Sequence, residues 1–140
     1  MNINFFTEGT NYAIKDKRAI RNLINEVILK EKKQLVNINF IITDDENMLK
    51  INEEYLHHDT YTDTITFFYN EKKKEVNGDI YISIDRIREN AKTYKTSIQK
   101  ELVRVMIHGT LHLCGYEDKA EEDKKNKMII KQEKYLESYN

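Results

Sequence analysis

A chain of 140 residues, 34% charged and 39% hydrophobic, has apolar material for one core and no room for a second domain. Its net charge of −1 and lone Cys114 exclude a uniformly basic nucleic-acid binder and an internal disulfide framework. No apolar run approaches the roughly 18 residues of a membrane span, and the opening segment lacks a signal-peptide layout, so a single cytoplasmic domain over residues 1–140 is expected.

Residues 3–6 read as a short strand closed by a turn at Glu8-Gly9. From Asp16 the pattern turns helical, with Ala19, Ile20, Leu23, Ile24, Val27 and Ile28 at three- and four-residue spacings. Residues 36–43 (VNINFIIT) alternate and then run apolar, as a core-facing strand does. Asp44 and Asp45 supply a cap and first-turn acid for a short helix around Met48, Leu49, Ile51 and Leu56. The segment HHDTYTD (residues 57–63) has no period and reads as a loop. Residues 64–69 (TITFFY) and 79–84 (DIYISI) are β-branched and aromatic and read as an antiparallel hairpin or two neighbouring strands. Residues 85–94 form a helix, Ser97 caps the next, and residues 120–139 form the last, with Met128, Ile129, Tyr135 and Leu136 on one side. This order predicts an α+β domain with α/β-like character, a small four-stranded mixed sheet covered by about five or six helices.

The informative stretch is LVRVMIHGTLHLCGYED, residues 102–118. Leu102, Val103, Val105, Met106, Ile107, Leu111, Leu113 and Cys114 make a helix apolar almost all round, hence central and buried. His108 and His112 are four residues apart, so both imidazoles leave one face about one turn apart and can grip one metal ion. Gly109 in mid-helix costs about 1 kcal/mol relative to alanine, which points to close approach by another backbone. Gly115 stands where a left-handed helix cap would, and a reversal there could return Asp118 towards the two histidines as a third, oxygen ligand. A bare His-x-x-x-His pair is common on helices; burial and the carboxylate beyond the glycine strengthen the metal reading. Gly109 occupies the position of the glutamate base in His-Glu-x-x-His peptidases, which disfavours a thermolysin-like peptidase.

HGTLHLCGYED resembles the signature of the YbeY family of bacterial endoribonucleases, His-Gly-x-Leu-His-Leu-x-Gly-Tyr-Asp-His. Upstream, YLHHDTYTDTITF is similar to that family's Tyr-Arg-Gly-Lys-Asp-x-Pro-Thr-Asp-Val-Leu-Ser-Phe segment, and GDIYIS to its Gly-Asp-Ile strand. Order and spacing agree over roughly residues 35–128. The resemblance implies a zinc-dependent, single-strand-specific endoribonuclease in 3′-end maturation of small-subunit ribosomal RNA and in ribosome quality control. Its implied partners are single-stranded ribosomal RNA and the ribosome or its small subunit. Two departures stand out. Asp118 occupies the place of the family's usual third histidine, giving a two-His, one-carboxylate set that also suits iron or manganese. Leu56 stands where the family usually carries an arginine implicated in activity, and a leucine cannot stabilise phosphate charge.

A metal held by His108, His112 and Asp118 would lower the pKa of bound water from 15.7 towards about 7 and polarise a phosphoryl oxygen. Arg104, one turn before His108, is the candidate phosphate contact and catalytic residue; its alternative is a salt bridge to Glu101 or Glu26. His57 and His58 could substitute for the missing arginine or be ordinary loop histidines. Asp59, Thr62 and Asp63 match the family's loop, and as ordinary residues would cap the following strand. Basic groups at Lys15, Lys17, Arg18 and Arg21, at Arg86, Arg88, Lys92 and Lys95, and at Lys72 to Lys74 could track a nucleic-acid strand or simply be solvated. Two other functions fit the motif: a metallohydrolase of a peptide or small amide, and a ribosome-associated binding module whose metal is structural.

Overall fold

A computed structural model describes residues 2–56, 63–116 and 122–139. Strands β1 (Ile3–Thr7), β2 (Gln34–Thr43), β3 (Thr64–Phe68) and β4 (Glu75–Ser83) form one sheet in the order β1-β2-β4-β3. β1 and β4 run parallel to β2, and β3 lies antiparallel to β4 at the sheet edge. Helices α1 (Lys17–Lys30), α2 (Asp45–Ile51), α3 (Ile84–Thr93), α4 (Ile98–Leu113) and α5 (Glu122–Glu137) complete the α+β domain expected from the sequence, and Asn52–Leu56 forms one π-helical turn after α2. Among the described residues no helix is long and apolar enough to cross a membrane.

The pleat separates the two faces of the sheet. Ile38, Phe40 and Ile42 of β2 and Val76, Ile80 and Ile82 of β4 are fully buried on one face, against Ile20, Ile24 and Val27 of α1 and Leu102, Met106 and Ile107 of α4. Each such side chain contributes about 1.5–3 kcal/mol by leaving water, so truncating Ile80 to alanine would cost about 2–5 kcal/mol. On the other face Asn4 donates to Asn37 and Asn39, and Asn39 donates to Asp79, in a chain of 2.9–3.2 Å bonds.

The local signals read from the sequence act as anticipated at the helix starts. The Asp44 carboxylate accepts the Asn47 N–H at 2.8 Å, and the Ser97 hydroxyl accepts the Lys100 N–H at 3.0 Å. Ser83 caps α3 in the same way. It also donates to Asp45 at 2.7 Å, so the starts of α2 and α3 are tied together. β4 begins at Glu75 rather than at residue 79, because the Glu75 carboxylate accepts the N–H groups of Glu71 and Lys72 and closes the turn there.

α4 is the central helix, touching α1, α3, α5, β3 and β4. The close approach at Gly109 is real but comes from a side chain rather than a backbone. A Cβ there would lie 2.8 Å from Ile80 Cγ2, so the missing methyl lets α4 settle onto β4. In α5 the buried stripe is Met128, Gln132 and Leu136, whereas Ile129, expected on the apolar side, is exposed.

Candidate metal centre

The end of α4 is built by its last turn and by Gly115. Gly115 has φ +112°, with open space around the position a Cβ would take, so its requirement is backbone freedom rather than room. Its N–H donates to the His112 carbonyl at 2.9 Å and the Tyr116 N–H to the Leu111 carbonyl at 3.1 Å. Those two bonds are the paired closures of a Schellman motif. They swing the Tyr116 carbonyl back over the helix end, where it accepts a hydrogen bond from His112 Nδ1 at 2.7 Å.

One turn earlier, His108 Nδ1 donates to the Gln132 side-chain oxygen at 2.7 Å. The Gln132 amide orientation follows from its other partner, since Nε2 donates to Glu133 Oε2 at 3.1 Å. With both Nδ1 atoms facing carbonyl oxygens, the neutral form of each ring has its lone pair on Nε2. The two Nε2 atoms face each other at 3.0 Å, with the rings almost perpendicular and their centroids 4.5 Å apart. Two lone pairs so directed repel unless a positive centre lies between them. Two imidazoles bound at about 2.0–2.1 Å can share an ion over separations up to about 4.1 Å. The pair therefore fits a transition metal on donor chemistry and on spacing. The expected third ligand, Asp118, lies outside the described residues. Among the described residues no three His, Cys, Asp or Glu side chains form a metal-holding group.

Arg104 is held between carboxylates. Its Nη1 lies 3.2 Å from Glu101 Oε1 and its Nε 3.3 Å from Glu133 Oε2, and its side chain is one-quarter exposed. The Glu101 partner is the one named from the sequence; Glu133 is new. Burial pushes the Glu101 carboxyl above its ordinary value, Arg104 pulls it down, and the nearby Asp63 and Glu133 push it up again. The basic faces are likewise partly committed. Arg21 donates to the Ile3 carbonyl at 3.0 Å, Arg86 pairs with Asp45 at 3.1 Å, and Arg88 lies over the Tyr12 ring. Asp63 accepts the Ser83 N–H through its backbone carbonyl at 3.0 Å. His57, His58, Asp59 and Thr62 lie outside the described residues, and Leu56 closes the π-helical turn.

Sequence reasoning missed two groups that brace this end of α4. Gln132 was detectable in principle, as the polar member of the Met128–Gln132–Leu136 stripe. Glu31, just beyond α1, had no local signal. Its carboxylate, only 7% exposed, accepts from Tyr116 Oη at 2.7 Å, Tyr135 Oη at 2.5 Å and Lys131 Nζ at 3.1 Å. Burial pushes its carboxyl up, but the bonds from Tyr135, Tyr116 and Lys131 outweigh that and leave it below its ordinary value. Cys114 is buried, and burial pushes its thiol up to about 12.

The fold and site define a small α+β domain that presents a paired-imidazole centre at the C-terminal end of a buried helix. The family described as Endoribonuclease YbeY matches residues 3–140 of the sequence. Over 118 residues the chain is 48% identical to Endoribonuclease YbeY of Flavobacterium psychrophilum, covering 84% of each protein. Its likeness to Endoribonuclease YbeY of Cytophaga hutchinsonii is 43% over 122 residues, covering 87% of this chain and 85% of that one. The solution structure of TM1509 from Thermotoga maritima matches with a TM-score of 0.68 at 32% identity, covering 98% of this chain and 88% of that chain. The chain belongs to the YbeY family. That membership lends no support to the peptide-hydrolase or binding-module readings.

Proposed function

We propose that the chain is a single-strand-specific endoribonuclease that hydrolyses RNA phosphodiesters during 3′-end maturation of small-subunit ribosomal RNA, on the ribosome or its small subunit. Its metal is Zn2+, held by His108, His112 and Asp118. The observation that carries this reading is the pair of Nδ1-anchored imidazoles with Nε2 atoms 3.0 Å apart, in a chain of the Endoribonuclease YbeY family. When bound, the ion supplies Lewis acidity towards a phosphodiester and towards water.

The chain's own residues do the rest. The Tyr116 carbonyl and Gln132 hold the two imidazoles in one orientation, so little reorganisation is needed when ligand or substrate arrives. The Arg104 guanidinium carries five N–H donors, and a phosphate that takes those facing its carboxylates would displace the more exposed Glu133. Glu101 then stays behind as its anchor. Leu56 offers no charge at the place of the family arginine, so Arg104, or else His57 or His58, supplies it.

The test is cleavage of end-labelled single-stranded RNA by wild type and Asp118→Ala prepared side by side. The expected result is wild-type activity that a chelator removes and zinc restores, with the variant at least tenfold weaker in zinc binding. Equal activity in both proteins would overturn the ligand assignment. No wild-type cleavage with zinc bound would overturn the nuclease reading for this chain.

A further inference from the structure

We propose that Gln132 is a positioning residue of the metal centre. Its amide oxygen selects the Nδ1–H tautomer of His108 and so keeps Nε2 turned towards the ion. The inference rests on the metal reading above and assigns a role in it to a helix outside the His-x-x-x-His motif.

Three observations carry it. First, the bond is short, 2.7 Å from His108 Nδ1 to Gln132 Oε1, and links residues 24 positions apart, from α4 to α5. Second, Gln132 is buried on an otherwise apolar stripe between Met128 and Leu136. A buried amide there is costly unless bonded, by about 1–3 kcal/mol, so packing alone would favour leucine. Third, the amide cannot turn over without loss. Its Nε2 is committed to Glu133 Oε2, Glu133 faces Arg104 Nε, and Arg104 Nη1 faces Glu101. A flipped Gln132 would present N–H to His108 Nδ1 and carbonyl oxygen to the Glu133 carboxylate, setting two acceptors against each other. Glu101 and Arg104 come from α4 and Gln132 and Glu133 from α5, so an ion pair also joins the two helices beside the site.

A free imidazole favours the Nε2–H tautomer, in which the metal-facing nitrogen carries a proton and cannot ligate. Removing the acceptor lets His108 drift to that form. Outer-shell partners of ligating histidines are typically worth 10–100-fold in metal affinity.

The experiment compares wild type, Gln132→Leu and Gln132→Glu in two measurements. The first is the His108 tautomer in the zinc-free protein, read from 15N chemical shifts in long-range 1H–15N spectra. The second is zinc affinity by competition with a chromophoric chelator. Expected are an Nδ1–H tautomer in wild type, a shift towards Nε2–H with a 10–100-fold affinity loss in Gln132→Leu, and recovery of both in Gln132→Glu, which retains an acceptor. A merely packing role would leave the tautomer unmoved. Thermal unfolding of the zinc-free proteins checks the fold, and Gln132→Met, close in length and flexible, replaces the leucine variant if that one does not fold. An unchanged tautomer and affinity in the apolar variant, with wild type binding zinc, would overturn the inference alone. A wild type that binds no zinc would overturn the metal reading and this inference with it.

Discussion

Replacing Glu31 by alanine strands the donors that converge on it, Tyr116 Oη, Tyr135 Oη and Lys131 Nζ. A hydrogen bond to a charged group contributes about 1.5–3 kcal/mol, so the two tyrosines at the lower end total about 3 kcal/mol. Lys131 is 44% exposed, which limits its pair to at most about 1 kcal/mol. The hydroxyls are only half-buried and regain some water when the carboxylate goes, so the net cost is about 2–3 kcal/mol. For a chain of this length about 1 kcal/mol moves the melting temperature by about 3–4 °C, so Glu31→Ala should melt about 6–12 °C lower. Glu31→Gln keeps one acceptor without the charge and should lose about half as much. The pH dependence has a definite sign. The Glu31 carboxyl lies below its ordinary 4.5 in the folded protein, so the unfolded chain takes up its proton first on acidification. The stabilisation is therefore complete above 4.5 and is lost as pH falls through the depressed folded value. Urea unfolding of zinc-free wild type and Glu31→Gln from pH 8 to 3 measures this. The gap should stay constant down to about pH 5 and close in acid. A gap at pH 7 below about 0.5 kcal/mol, or one that does not narrow in acid, would refute the reasoning.

Arg104→Ala should cost more stability at pH 7 than at pH 4. Burial holds the Glu101 carboxyl above its ordinary value even with Arg104 beside it, so its ionised form disfavours folding as pH rises and needs the guanidinium most at neutral pH. Urea unfolding at the two pH values decides, and equal costs would show that the charge pair is immaterial. Cys114, buried and with its thiol pushed up to about 12, should resist iodoacetamide at pH 8 until the domain unfolds. Alkylation of the folded protein at the rate of a free thiol would contradict that burial.

Some of this protein is written locally and some is not. The helical periods of α1 and α4, the alternation of β2, the β-branched and aromatic run of β4, the caps at Asp44 and Ser97, and the Gly115 stop were all legible. Each depends on residues within about a turn of one another, where backbone geometry alone sets the outcome. The His108–His112 pair belongs to the same class, because a four-residue step on any helix brings two side chains together. The β3–β4 pairing was legible, but the full sheet order, with β2 between β1 and β4 and β3 at the edge, came only with the tertiary structure. So did the apolar stripe of α5, since Met128, Ile129 and Tyr135 suit more than one helical face until α4 selects Met128, Gln132 and Leu136. Most of all, the state of each imidazole was decided at long range. His108 takes its partner from 24 positions away, and the Tyr116 loop that holds His112 is braced by Glu31, 85 positions away. Sequence spacing places the two rings side by side, but a ring's tautomer depends on what faces its other nitrogen. That is a property of packing, not of period.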